Sequence, residues 1–183
     1  LATPAEVTSP SVTVAASMNA TVTTKLDGNS YTGRTVTLWQ GGELKYTLSD
    51  PTNSGVHTAA SIVPGDYLIF VDGDSTGVMI SASDMNKEIN FHTVTFYDGM
   101  QPLTAPAPQV VLSGEKAVMP APPVKKGYEF SKWVTANGGA VAFDFNTPIT
   151  AATNVYAAWT AGSTTYTVKH YQAKLDGGYD LAD

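Results

Sequence analysis

Few residues in this chain stand where they could do chemistry together. Its three histidines, His57, His92 and His170, are far apart and in no ligand spacing. A zinc site would need carboxylates that the sequence does not place near them. Serines and threonines are plentiful, but none stands in the strand–elbow pattern Gly-x-Ser-x-Gly that presents a nucleophile. Asp72-Gly73-Asp74-Ser75-Thr76-Gly77 opens like a calcium loop. That loop needs a bidentate Glu at its twelfth position, where this chain has Ser83, so the segment is expected to be a surface turn. The acids fall mostly in turns, as solvated groups should, and no pair is marked out for glycoside hydrolysis. With no cysteine there is neither a disulfide nor a thiolate nucleophile. These absences predict a protein without catalytic function, metal or cofactor.

The side chains that do cluster are aromatic. Gly127-Tyr128-Glu129-Phe130-Ser131-Lys132-Trp133 is followed by Phe143-Asp144-Phe145, then Thr147-Pro148-Ile149-Thr150, then Asn154-Val155-Tyr156-Ala157-Ala158-Trp159. Such rings could form a stacking platform for sugars. In a unit this small they are expected to be the core instead, because each aromatic buries a large area. Trp39, at a strand end beside Gly41-Gly42, is the ring expected to be partly exposed and the candidate contact for a ligand.

Strands and turns must position these residues. The chain has 183 residues, an apolar fraction of 43% and only 14% charged residues, with Thr, Ser, Gly and Asn carrying the polarity. That composition suits pleated surfaces closed by tight turns. Short β runs broken by turn signals are read near 11–16, 20–26, 34–40, 43–48, 56–62, 66–71, 77–82 and 87–97, the pattern of a sandwich or barrel. In Thr35-Val36-Thr37-Leu38-Trp39, Val36 and Leu38 share one face, as in a strand buried on one side. Asp27-Gly28 and Gly41-Gly42 supply the positive φ of hairpin turns. Beyond His92, strands are expected over 92–97, 109–112, 128–134, 140–145 and 154–159. Pro120, Pro122 and Pro123 interrupt them, and any helix would be a single turn near 115–119. The divisions are a linker or edge segment at 1–10, a sandwich over 11–91, a small module over 92–160 and a linker with the start of a further unit over 161–183.

The net charge of −6 offers no basic stripe for nucleic acid. No apolar run approaches the roughly 20 residues of a membrane-spanning helix. Leu1-Ala2-Thr3-Pro4 reads as a cut inside a longer polypeptide, and Tyr166-Thr167-Val168-Lys169-His170-Tyr171 echoes His92-Thr93-Val94-Thr95-Phe96-Tyr97, as in a tandem array.

On these motifs, residues 92–160 resemble the Listeria–Bacteroides repeat, related to the internalin B repeat. The carriers are Gly127, Tyr128, Phe130, Trp133, Phe143, Asp144, Phe145, Pro148, Tyr156 and Trp159. Asp98-Gly99-Met100 departs from the Asn-Gly-Gly turn of many members. The resemblance implies a small β-grasp-like unit of bacterial surface or secreted proteins. Residues 165–183 are similar to the start of a mucin-binding-type repeat. Residues 11–91 resemble prealbumin-like, collagen-adhesin B-type sandwiches, an Ig-like architecture, through Gly33-Arg34-Thr35-Val36-Thr37-Leu38 and Val63-Pro64-Gly65-Asp66-Tyr67-Leu68-Ile69. Many such sandwiches close a Lys–Asn isopeptide bond polarised by a buried acid. Lys25 and Asn90 are the counterparts here. The acid's expected position holds Val71, and Asp72 should face the other way, so Lys25 is expected to remain an ordinary strand residue.

The function expected from this reading is a non-catalytic spacer, monomeric, in an extracellular protein of the bacterial cell surface. An adhesin-type module for a host surface protein, mucin or polysaccharide is the alternative. Accessory domains of a secreted hydrolase are a third reading.

Overall fold

The structure, a computed structural model, describes residues 16–163 and 165–181. The linker or edge segment expected at 1–10, and most of the strand expected at 11–16, lie outside the described residues. Eight strands come first: β1 (Met18–Leu26), β2 (Asn29–Ser30), β3 (Val36–Gln40), β4 (Glu43–Leu48), β5 (Val56–Ile62), β6 (Tyr67–Val71), β7 (Asp74–Ile80) and β8 (Asn86–Asp98). They are followed by β9 (Gln101–Pro102), β10 (Gln109–Leu112), β11 (Tyr128–Val134), β12 (Thr153–Ala161), β13 (Tyr171–Lys174) and β14 (Gly178–Leu181). The protein is mainly β, and the described residues contain no helix. The chain divides into two compact units: residues up to Val94 with Pro108–Val118 and Asp144–Thr153, and Thr95–Ala107 with Met119–Phe143 and the chain from Asn154 onward.

The first unit is a sandwich. One layer is antiparallel, in the order β4-β3-β6-β7. In the other, β1 pairs antiparallel with β2 and β5 and parallel with β8, and β10 pairs antiparallel with β8. Period-2 alternation turns Val36 and Leu38 of β3, Ile69 and Val71 of β6 and Ile80 of β7 inward, against Ala20 and Val22 of β1, Ile62 of β5 and Ile89 of β8. Asp27 (φ 50°) and Gly28 (φ 81°) both adopt the left-handed conformation that the β1–β2 hairpin requires. Asp72 (φ 53°) and Gly73 (φ 93°) do the same between β6 and β7. The calcium-like stretch is therefore a tight turn at Asp72-Gly73 that runs into β7 from Asp74.

The second unit is built on β11 and β12, which pair antiparallel, and on the end of β8, whose Tyr97 and Asp98 pair with Pro102 and Gln101 of β9. Phe96, Trp133, Val134 and Val155 are buried in it. β13 and β14 form a separate antiparallel hairpin. Residues 165–170, which echo the start of the repeat, adopt no strand.

Two local expectations are corrected. Residues 140–145 are not a strand: a single bridge joins Val134 to Ala142, and Phe143 N donates to Trp133 O at 2.9 Å. The run is cut at Asp144, whose carboxylate accepts from Asn146 N at 2.9 Å and whose carbonyl accepts from Thr147 N at 3.1 Å, so a turn begins there. The single helical turn near 115–119 is also absent. Backbone bonds between Gly114 and Ile149, and between Ile149 and Glu115, both 2.8 Å, hold that segment extended.

Candidate functional site

The aromatic residues of the repeat meet through a defect in a strand. Phe130 and Trp133 are three apart and would face opposite sides of a regular β11. The register of β11 on β12 shifts between Phe130 and Lys132, and this bulge brings both rings to one side. Phe130 and Trp133 pack at 5.2 Å, Trp133 packs on Phe96 at 5.0 Å, and Trp159 meets Phe130 edge-on at 5.9 Å. Tyr156 stacks on Tyr97 at 5.2 Å. Trp133 is 4% exposed, and its Nε1 has no acceptor among the described residues. Trp159 Nε1 instead donates to Asp98 Oδ1 at 2.9 Å, and Lys125 Nζ donates to the same oxygen at 2.9 Å. The Lys125 ammonium lies 5.0 Å from the Tyr128 ring and 5.4 Å from the Trp159 ring. Asp98, read in the sequence only as part of a turn, is thus the shared acceptor at this end of the cluster.

The rings are not uniformly internal. Tyr128, expected in the core, is 50% exposed. It stands at the first position of β11, with the Lys125 ammonium over its ring. Phe130, Phe143, Phe145, Tyr156 and Trp159 are partly buried. Of the remaining signature residues, Gly127 (φ 78°) accepts from Gly162 N at 2.9 Å, Asp144 anchors its turn, and Pro148 bridges to Lys116. An open pocket of about 380 Å³ lies beside Trp159, Asp98, Lys125 and the Asn137-Gly138-Gly139 loop.

Trp39 is half-buried on the outer face of the β4-β3-β6-β7 layer, packed on Phe70 at 5.1 Å, with Nε1 donating to Thr37 Oγ1 at 3.0 Å. Its cross-strand neighbours are Leu44 and Leu68, and Leu68 in turn faces Met79. An apolar row therefore runs across all four strands on the solvent side, with Leu44 50% and Met79 51% exposed.

The structure sets Lys25 and Asn90 directly opposite each other on the parallel strands β1 and β8. The acid's expected position holds the buried Val71, and Asp72 accepts from Arg34 and from Thr35 N, so neither supplies an acid to the pair. The acid that meets both is Glu88: one carboxylate oxygen lies 2.5 Å from Lys25 Nζ, and the other accepts from Asn90 Nδ2 at 3.0 Å. Sequence reasoning missed Glu88, although its place two residues before Asn90 puts both on one face of β8. Amide exchange would need a neutral amine and a protonated acid. The Lys25 and Glu88 side chains are 35% and 45% exposed. Hydrogen bonds from Lys25, first, and from Asn90 lower the Glu88 pKa. The trio is thus arranged as a solvated ion pair with a neighbouring amide.

A second constellation could also be read as chemistry. His92 Nε2 lies 3.1 Å from Ser113 Oγ, and His92 Nδ1 lies 3.7 Å from Asp27 Oδ1. The last distance is too long for a hydrogen bond, and Asp27 Oδ1 already accepts from Thr93 N at 3.0 Å. The N–H groups of Ser113 and Gly114, which would have to stabilise an oxyanion, donate to Asn90 O and Ile149 O. A nucleophile and base without oriented acid or oxyanion donors do not make an acyl-transfer site. His57 belongs to the sandwich core. It is 1% exposed beside Thr24, at 3.2 Å, and Thr24 Oγ1 donates to Tyr31 O at 2.6 Å. With that proton committed, His57 Nε2 donates to Thr24, and burial lowers the His57 pKa. Among the described residues no group of three or more His, Asp or Glu could hold a metal ion.

No curated protein matches the chain. The motif order that threads the rings above is matched by one family model, over residues 92–158. The family it describes is the Listeria-Bacteroides repeat domain, and that stretch is similar to it.

Proposed function

We propose that the chain is a non-catalytic structural segment of a multidomain protein on the bacterial cell surface, in which a B-type sandwich over 11–91 and the repeat over 92–160 act as a spacer. The observation that carries this reading is where the repeat spends its most distinctive residues. Of its signature rings, Trp133 is buried, Phe130, Phe143, Phe145, Tyr156 and Trp159 are partly buried, and Asp98 accepts from both Lys125 and Trp159. A module that uses its signature in packing needs no ligand hot spot. The match to a surface-repeat family supports the location. A second reading, a binding module for a host protein or glycan, is favoured by the solvent-side apolar row Leu44, Trp39, Leu68 and Met79. The experiment exchanges this segment, within the protein displayed on its cells, for an unrelated β spacer of equal length. Retained display and retained activity of the neighbouring domains support the spacer. Loss of adhesion with display intact supports the binding module.

A further inference from the structure

A groove of about 720 Å³ runs through the sandwich unit between the β6–β7 turn and β10. Tyr31 and Phe91, packed edge-on at 5.4 Å, and Val111 contribute its apolar lining. Its rim is acidic: Asp72, Asp74 and Glu115 line it against one lysine, Lys116. Asp72 is engaged by Arg34, whereas Asp74 and Glu115 make no ion pair among the described residues. A smaller pocket of about 120 Å³, lined by Thr76, Glu88 and Leu112 among others, continues between β7 and β10.

Both strands beside the groove are edges of their layers, but they differ. β7 bulges opposite Ile69 of β6, where Thr76 Oγ1 donates to Ile69 O at 2.8 Å and accepts from Val78 N at 3.2 Å. β10 is open. Its register on β8 pairs Gln109 with Val94 and Val111 with His92, and Ser113 N donates to Asn90 O at 2.8 Å. Hydrogen bonds alternate along an antiparallel ladder, so these odd positions bond to β8 and Val110 turns its N–H and C=O away from it. The Val110 side chain is 47% exposed, and Val118, held by both atoms of the Gln109 side-chain amide at 2.6 and 2.9 Å, is 72% exposed. An unpaired strand edge beside an apolar floor and two free carboxylates fits an extended polypeptide that adds to the edge and offers alternating apolar and cationic side chains.

We propose that this groove binds an extended cationic polypeptide, which pairs through its backbone with Val110 of β10 and through its lysines or arginines with Asp74 and Glu115. This goes beyond the spacer reading and does not depend on it. The test titrates the full chain with an alternating Lys-Val peptide, its Glu-Val counterpart and a neutral oligosaccharide, following backbone amide shifts by NMR. The expected result is saturable binding of the Lys-Val peptide alone, with shifts centred on Gln109, Val110 and Val118 and an affinity that falls with salt. Asp74→Asn combined with Glu115→Gln should weaken it at least about tenfold. Val110→Pro, which removes the outward N–H and leaves the ladder to β8 intact, should weaken it comparably while the amide spectrum elsewhere stays native. Equal binding of the acidic peptide, shifts away from β10, an oligosaccharide that binds there instead, or no binding at all would overturn the proposal. A null result would leave the segment-exchange experiment free to succeed, so the two ideas fail separately.

Discussion

Trp133 offers the sharpest test of the packing, because it carries a large favourable contribution and a penalty in one side chain. The indole is 4% exposed and touches Phe96 and Phe130. Burying about 200 Å² of aromatic surface contributes roughly 5 kcal/mol. Its Nε1–H has no acceptor among the described residues, and an unmet buried donor costs about 1–3 kcal/mol. Trp133→Ala loses the area, leaves a cavity and removes the donor, so a net loss of about 3 kcal/mol or more is expected. Trp133→Phe keeps most of the ring contact and removes the same donor. Its lost area, about 1 kcal/mol, is offset by the relieved N–H, and the net change should lie within about 1 kcal/mol of zero. Urea unfolding followed by far-UV circular dichroism, with amide exchange in β11 and β12 as the local readout, measures both variants. A Phe variant as destabilised as the Ala variant would refute the orphan-donor argument. An Ala variant costing below about 1 kcal/mol would refute the core role itself.

His57 is buried neutral, with its pKa lowered from 6.5. The unfolded chain then binds more protons below that value, so stability is full above pH 6.5 and falls as the pH drops below it, by up to about 1.4 kcal/mol per pH unit; in His57→Gln this slope should vanish, and an unchanged slope would refute the assignment. Gly55 has φ 79°, and an added Cβ would lie 2.9 Å from Thr24 O. Gly55→Ala should cost about 2 kcal/mol or more in thermal unfolding, whereas Gly114→Ala, at φ 91° in open space, should show only the left-handed strain of roughly 1 kcal/mol. The intact mass should equal the sequence mass, because Lys25 and Glu88 are held as an ion pair; a loss of about 17 Da would show that Lys25 and Asn90 had joined with release of ammonia.

Local chemistry made much of the fold legible. Asp-Gly and Gly-Gly turns fix hairpins wherever they fall, and the alternation around Val36 and Leu38 identified an inward face without reference to any partner strand. Strands such as 43–48, 56–62 and 128–134 could be bounded because turn residues flank them. What stayed hidden depends on long-range pairing. The run 140–145 has the composition of a strand, but Asp144 prefers its own turn. Residues 115–119 look helical in isolation, yet they are held extended by Ile149, far along the chain. The bulge that unites Phe130 and Trp133 leaves no mark beyond their odd spacing. Glu88 could have been found from its period-2 relation to Asn90. The approach of Ser113 to His92, and the acids gathered around β10, follow from register alone and have no local signal.

The account's central claim is that the rings of this segment serve packing and not recognition of a sugar. The most direct measurement is an array of glycans probed with the purified chain and with its Trp39→Ala variant. The expected result is no reproducible glycan signal for either protein. A reproducible signal for the parent chain that disappears in the variant would contradict the claim and make the segment a lectin-like module.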